Sequence, residues 1–152
     1  MRSRATVILV VPLFSMVLVA QVAPHQQPTP AAFDEQAGSR LLLQLTEALQ
    51  GHSQKQLLDV FDLDKMKDGA LFKQQINSFF SQTESIRVHL NLVETSLDGD
   101  KANIAVDAEM EAEPSNGGPS SRRNERLYFV VASAGNRWKF IDLQPRSFFS
   151  LP

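Results

Sequence analysis

Residues 86–112 read IRVHLNLVETSLDGDKANIAVDAEMEA. Ile86, Val88, Leu90 and Leu92, then Ala102, Ile104, Val106, Ala108, Met110 and Ala112, are apolar at every even position. Arg87, His89, Asn91, Asn103, Asp107, Glu109 and Glu111 occupy odd positions between them. Successive side chains of a strand point to opposite faces, so strict alternation marks a strand with one covered face and one wet face. The spacing predicts strands over 85–95 and 101–112, joined at Asp98-Gly99-Asp100. Keeping the even positions on one face in both antiparallel strands requires an odd loop, met by three residues with Gly99 left-handed. That register sets Arg87 opposite Glu111, His89 opposite Glu109 and Asn91 opposite Asp107, which accounts for the charges as cross-strand pairs. The covered face carries no titratable group.

The period changes on both sides of this stretch. Upstream, Ala37, Leu41, Leu45, Ala48 and Leu49 recur at helical spacing, with Asp34 and Glu35 suiting the N-terminus and Gly51 the stop of a helix over 33–50. Ser53 caps a short second helix with Leu57, Leu58 and Phe61 inward. After the polar break 62–69, a third helix carries Leu71, Phe72, Ile76, Phe79 and Phe80. Downstream, 113–124 reads as a mobile connection. A third strand over 125–133 is apolar on both sides, with Leu127, Phe129 and Val131 facing one way and Tyr128, Val130 and Ala132 the other. Such a strand is either covered twice or part of an interface. Residues 133–136 turn the chain into a fourth strand with Trp138 and Phe140. The tail 144–152 holds Phe148, Phe149 and Leu151, too apolar to leave in water.

Residues 1–20 predict an export signal. Arg2 and Arg4 precede the apolar run 7–19, which is short for a bilayer crossing, and Ala20 and Ala23 supply small residues near a cleavage point. Removal after Ala20 is expected, an uncleaved anchor being the alternative. The chain has no cysteine, which excludes a lipid anchor on cysteine, disulfides, thiol nucleophiles and cysteine metal sites. Residues 21–32, with Pro24, Pro28 and Pro30, read as a flexible lead to a single domain over 33–152. Signal removal leaves 13 basic against 17 acidic side chains, a net −4 that gives no reason to bind nucleic acid or an anionic membrane. A signal without disulfides fits a bacterial periplasmic or secreted protein, with no stable membrane insertion after cleavage.

The fold class is therefore α+β, with three N-terminal helices packed on a curved four-stranded antiparallel sheet. This order, closing on Arg137-Trp138-Lys139-Phe140-Ile141-Asp142, resembles the nuclear transport factor 2-like superfamily, which includes ketosteroid isomerases, SnoaL-like cyclases and scytalone dehydratases. The tail Gln144-Pro145-Arg146-Ser147-Phe148-Phe149 is similar to that of exported bacterial members without an assigned reaction. The resemblance implies a cone-shaped half-barrel with a pocket between sheet and helices. Isomerases and dehydratases of that group need an acid or base inside the cone. The inward positions of the first two strands supply none.

Other chemistries have little footing. His25, His52 and His89 lack metal-ligand spacing. Asp62, Asp64 and Asp68 before Gly69 lack the full series of a calcium loop. Glu109, Glu111 and Glu113 form a charged face, Arg122-Arg123 sit in the connection, Gly117-Gly118 precede Pro119 rather than a helix, and no serine has a placed histidine. The expectation is a non-catalytic binding or interaction module without metal or cofactor. Its apolar cone would be lined by Val88, Leu90, Val106, Met110, Phe129 and Trp138. Candidate partners are a hydrophobic small molecule, a second copy meeting the sheet at Tyr128, Val130 and Ala132, or an envelope protein receiving the tail. The alternative is a dehydratase or isomerase using Asp64, Asp142 or Arg146 at the cone mouth.

Overall fold

The computed structural model describes residues 31–151, so the export signal, His25 and most of the lead lie outside the described residues. Helix α1 spans Glu35–Gln50, α2 Gln54–Asp59 and α3 Gly69–Gln82. Each of the first two starts where a short polar side chain can accept from the exposed first-turn amides. Asp34 Oδ1 accepts from Ala37 N at 2.7 Å, and Ser53 Oγ from Gln56 N at 3.4 Å. The stripe Ala37, Leu41, Leu45, Ala48 and Leu49 is buried as its spacing predicts. Leu71 departs from expectation. It points into solvent at 63 % exposure, while Phe72, Ile76, Phe79 and Phe80 hold the inner face of α3.

Four strands follow, β1 Thr83–Asp98, β2 Lys101–Pro114, β3 Ser121–Ala134 and β4 Arg137–Gln144, in an antiparallel sheet of sequential order. The sequence register is observed, with Arg87 opposite Glu111, His89 opposite Glu109 and Asn91 opposite Asp107. The hairpin that produces it differs from the three-residue loop. Asp98 pairs with Lys101, leaving Gly99 and Asp100 as a two-residue turn with Gly99 at φ +63°. The odd residue needed to keep the faces aligned is instead a bulge between Leu92 and Glu94. The expected connection 113–124 also shortens. Residues 121–124 are paired strand, because Ser121 lies opposite Ala112 and Arg123 opposite Met110.

The two edges of the sheet are treated differently. Beside β4, residues 60–62 run parallel to the strand, with Asp62 N donating to Phe140 O at 2.8 Å and Phe140 N to Val60 O at 3.0 Å. Beside β1, the amide of Gln50 donates to Val88 O at 2.9 Å. At the corner between α1 and α2, His52 holds φ +50° with its Nε2 2.8 Å from Thr83 O, tying that corner to the start of β1.

Candidate functional site

The concave side of the sheet is where the fold could enclose a ligand, and aromatic rings fill it. Phe61, Phe72, Phe79, Phe129, Phe140, Phe148 and Phe149 are all shielded from water. Phe129 lies 4.5 Å from Phe140, Phe61 4.8 Å from Phe72, and Phe149 5.9 Å from Phe79 between ring centroids. The last of these arrives on the tail, where a 3₁₀ turn over Arg146–Phe149 carries Phe148 and Phe149 inward. Polar side chains hold that turn by its carbonyls. Gln75 Nε2 donates to Arg146 O at 2.6 Å and to Phe149 O at 3.2 Å, and Arg123 donates to Ser147 O. The tail rings are therefore core, and they are not available to dock on another protein.

The six residues expected to line the cone do not share one chamber. Val106 and Phe129 lie within the packed core, joined there by Val88 and Met110. Val88 and Met110 also reach the floor of an open cleft with Gln50, Ser85, Arg87 and Glu113. Leu90 is half-buried in a groove between α1 and β1. Trp138 stands edge-on to Phe33 at 5.2 Å and donates from Nε1 to Ala31 O at 3.1 Å. Among the described residues, Thr83 is the one polar side chain in the buried set, and its hydroxyl donates to Phe79 O at 2.9 Å.

The ionisable candidates divide. Asp142 and Arg146 meet at 3.1 Å, and Arg146 Nη2 also donates to Lys67 O at 2.8 Å. The same guanidinium lies 5.8 Å from the Phe72 ring centre, so it braces the tail against α3. Asp142 Oδ1 also accepts from Leu143 N at 2.8 Å. Asp64 is exposed in a different cleft, beside Lys73 and Lys139. Sequence reasoning missed Ser121, Arg123 and Glu125, which the pairing with Ala112, Met110 and Ala108 places on the inner face near the mouth. The signal was present as alternation running back from Leu127, but it was hidden where the segment read as a loop. Glu125 Oε2, Ser121 Oγ and Arg146 Nε are shielded from solvent with no hydrogen-bond partner among the described residues.

On the convex face the charges are matched across strands. Arg87 reaches Glu113 at 3.1 Å and Glu111 at 3.8 Å, while Arg122 reaches Glu111 at 3.5 Å. These groups rim the open cleft of about 770 Å³. Asp107 and Arg126 form a two-pronged pair at 2.8 and 3.1 Å, and that hydrogen bonding holds the Asp107 carboxyl below its ordinary 3.8. A depressed carboxylate stabilises the fold above its unfolded pKa and loses that contribution as pH falls through the folded value. Replacing Arg126 by Gln should move the Asp107 titration midpoint upward in a carboxyl carbon NMR titration, with little change in stability because both groups are exposed. Among the described residues, no three His, Asp or Glu side chains gather as a metal site. Of Tyr128, Val130 and Ala132, only Tyr128 stands clear of its neighbours, at 57 % exposure.

No protein-family model matches the chain, and no curated protein matches it. Solved structures do. A proposed aromatic ring hydroxylase from Novosphingobium aromaticivorans superposes with a TM-score of 0.64 at 19 % identity, over 71 % of this chain and 84 % of that one. A nuclear transport factor 2-like superfamily protein from Salmonella enterica gives 0.62 at 10 % identity, over 71 % and 86 %. A hexachlorocyclohexane dehydrochlorinase (LinA type 3) from Novosphingobium barchaimii gives 0.57 at 16 % identity, over 71 % and 82 %. Identities this low speak for architecture and not for reaction. With its helix order, sequential antiparallel sheet and these superpositions, the chain has the nuclear transport factor 2-like fold.

Proposed function

We propose that this chain is an exported, non-catalytic binding or interaction module that makes its contacts through its surface. The observation that carries the reading is the filled concave side. Rings of Phe72, Phe79, Phe129, Phe140, Phe148 and Phe149 occupy the concave side, and among the described residues no acidic or basic side chain is wholly buried there. General acid–base catalysis requires a titratable group within hydrogen-bond reach of the reacting atoms. The export part rests on the N-terminal sequence, and a mature chain beginning at Gln21, seen by intact mass after fractionation, is its expected signature.

Titration with naphthalene, followed through the Met110 methyl resonance, tests the interior. No saturable shift is expected. A saturable shift would place a ligand inside and overturn the surface reading. The rival reading, an isomerase or dehydratase with a carboxylate at the cone mouth, draws its support from Glu125, whose shielded oxygen has no partner among the described residues. That rival requires a turnover that Glu125→Gln abolishes while the fold is retained.

A further inference from the structure

We propose that the chain associates with a second copy of itself by pairing β1 edge to edge, a partner assignment that rests on the surface-contact reading above. Natural sheets protect their open edges with short strands, prolines, lysines or covering segments, because unpaired main-chain groups recruit other strands. The β4 edge has such a cover in residues 60–62. The β1 edge is sixteen residues long and contains no proline, glycine or lysine. Among the described residues its main chain is met by His52 at Thr83 O and by the Gln50 amide at Val88 O, with a bulge at Val93, and no such contact falls on Leu90 to Leu92.

The Gln50–Val88 hydrogen bond gives the direction of the free groups. The Val88 carbonyl faces away from β2, and antiparallel pairing alternates, so the main-chain groups of Leu90 and Leu92 face away as well. Their side chains show the same incompleteness. Leu90 and Leu92 are half-buried, whereas their β2 counterparts Ala108 and Val106 are 2 % and 0 % exposed. Leu43 of α1, 56 % exposed, lines the same groove of about 460 Å³ with Leu42, Leu90 and Leu92. A strand and an apolar side chain are what is missing there.

A second copy supplies both. With Val88 O already occupied, the free run centres on Asn91, and a two-fold axis there sets Leu90 opposite the partner's Leu92 with reciprocal main-chain hydrogen bonds. The two Leu43 side chains then close over the joined leucines. On the wet face, Asn91 meets its own copy and His89 comes beside the partner's Glu94, which the bulge has turned to that side. No like charges face each other, so the segment complements itself.

Sedimentation velocity of the protein as isolated from its expressing host, from about 1 to 100 µM, tests this. A concentration-dependent dimer is expected, together with protection of the Leu90 and Leu92 amides from hydrogen exchange that grows with concentration. Leu43→Lys, at an exposed helix position that should leave the fold intact, should weaken the dimer by about tenfold or more. Tyr128→Lys, on the convex face, should leave it unchanged. A monomer across the whole range overturns the pairing. So does a dimer broken by Tyr128→Lys and indifferent to Leu43→Lys, an outcome that still leaves the filled interior to be judged by the naphthalene titration.

Discussion

Phe149→Ala should cost the fold about 3–5 kcal/mol, the range for removing a buried ring that its surroundings cannot replace. Phe149 is fully shielded and touches three other rings, Phe72 at 6.2 Å, Phe79 at 5.9 Å and Phe148 at 5.3 Å between centroids. It therefore ties the turn of the tail to α3, and its loss leaves a cavity among the remaining rings. Domains are stable by only about 5–15 kcal/mol, so this one change takes a large share of the total. Urea unfolding followed by Trp138 fluorescence measures it. A loss under about 1 kcal/mol would show that the tail is an appendage rather than part of the core. Deleting residues 146–152 should go further and leave no cooperative transition.

Gly69→Ala is expected to cost about 2–3 kcal/mol or more through overpacking against main chain. A Cβ at Gly69 would stand 2.1 Å from Leu63 O and 3.0 Å from its carbonyl carbon. The neighbour is backbone, so it cannot swing aside as a flexible side chain would. Relief requires moving the 61–68 segment, which is anchored at Phe61 to β4 and ends on Asp68 at φ +58°. Gly135→Ala is the control. Its φ of +64° strains any L side chain, but nothing lies within 4 Å of the added carbon, so about 1 kcal/mol is expected. Thermal unfolding of the two variants side by side separates close contact from backbone strain. Equal losses would remove the contact argument.

Much of the fold was legible because alternation and helical stripes are local records of burial. The β1–β2 pairing followed from residues 86–112 alone, since a one-residue slip would turn Ile86, Val88 and Leu90 outward. What misled was punctuation. The run 113–124, rich in proline, glycine and serine, hid the start of β3, because inner-face Ser121, Arg123 and Glu125 are polar and break the apolar pattern. The hairpin parity was right, but a bulge at Val93 satisfied it in place of a longer turn. Leu71 fitted a helical stripe in sequence, yet the inner face of α3 was already filled by its phenylalanines.

The helix–strand order, the register of β1 on β2 and the lack of titratable groups on the apolar face of those two strands could all be read from the order of residues. These are properties of neighbours along the chain, where side-chain period and turn chemistry suffice. Tertiary structure alone decided whether the apolar lining encloses space or fills it, and which sheet edge is left open. Both depend on where segments distant in sequence come to rest. The tail's Phe148 and Phe149 fill the cone because Gln75 and Arg123 bind its carbonyls, and residues 60–62 close the edge of β4 while β1 keeps its own free. Period and composition carry no record of such meetings, because they are settled by volume and by the pairing of main-chain groups far apart along the chain.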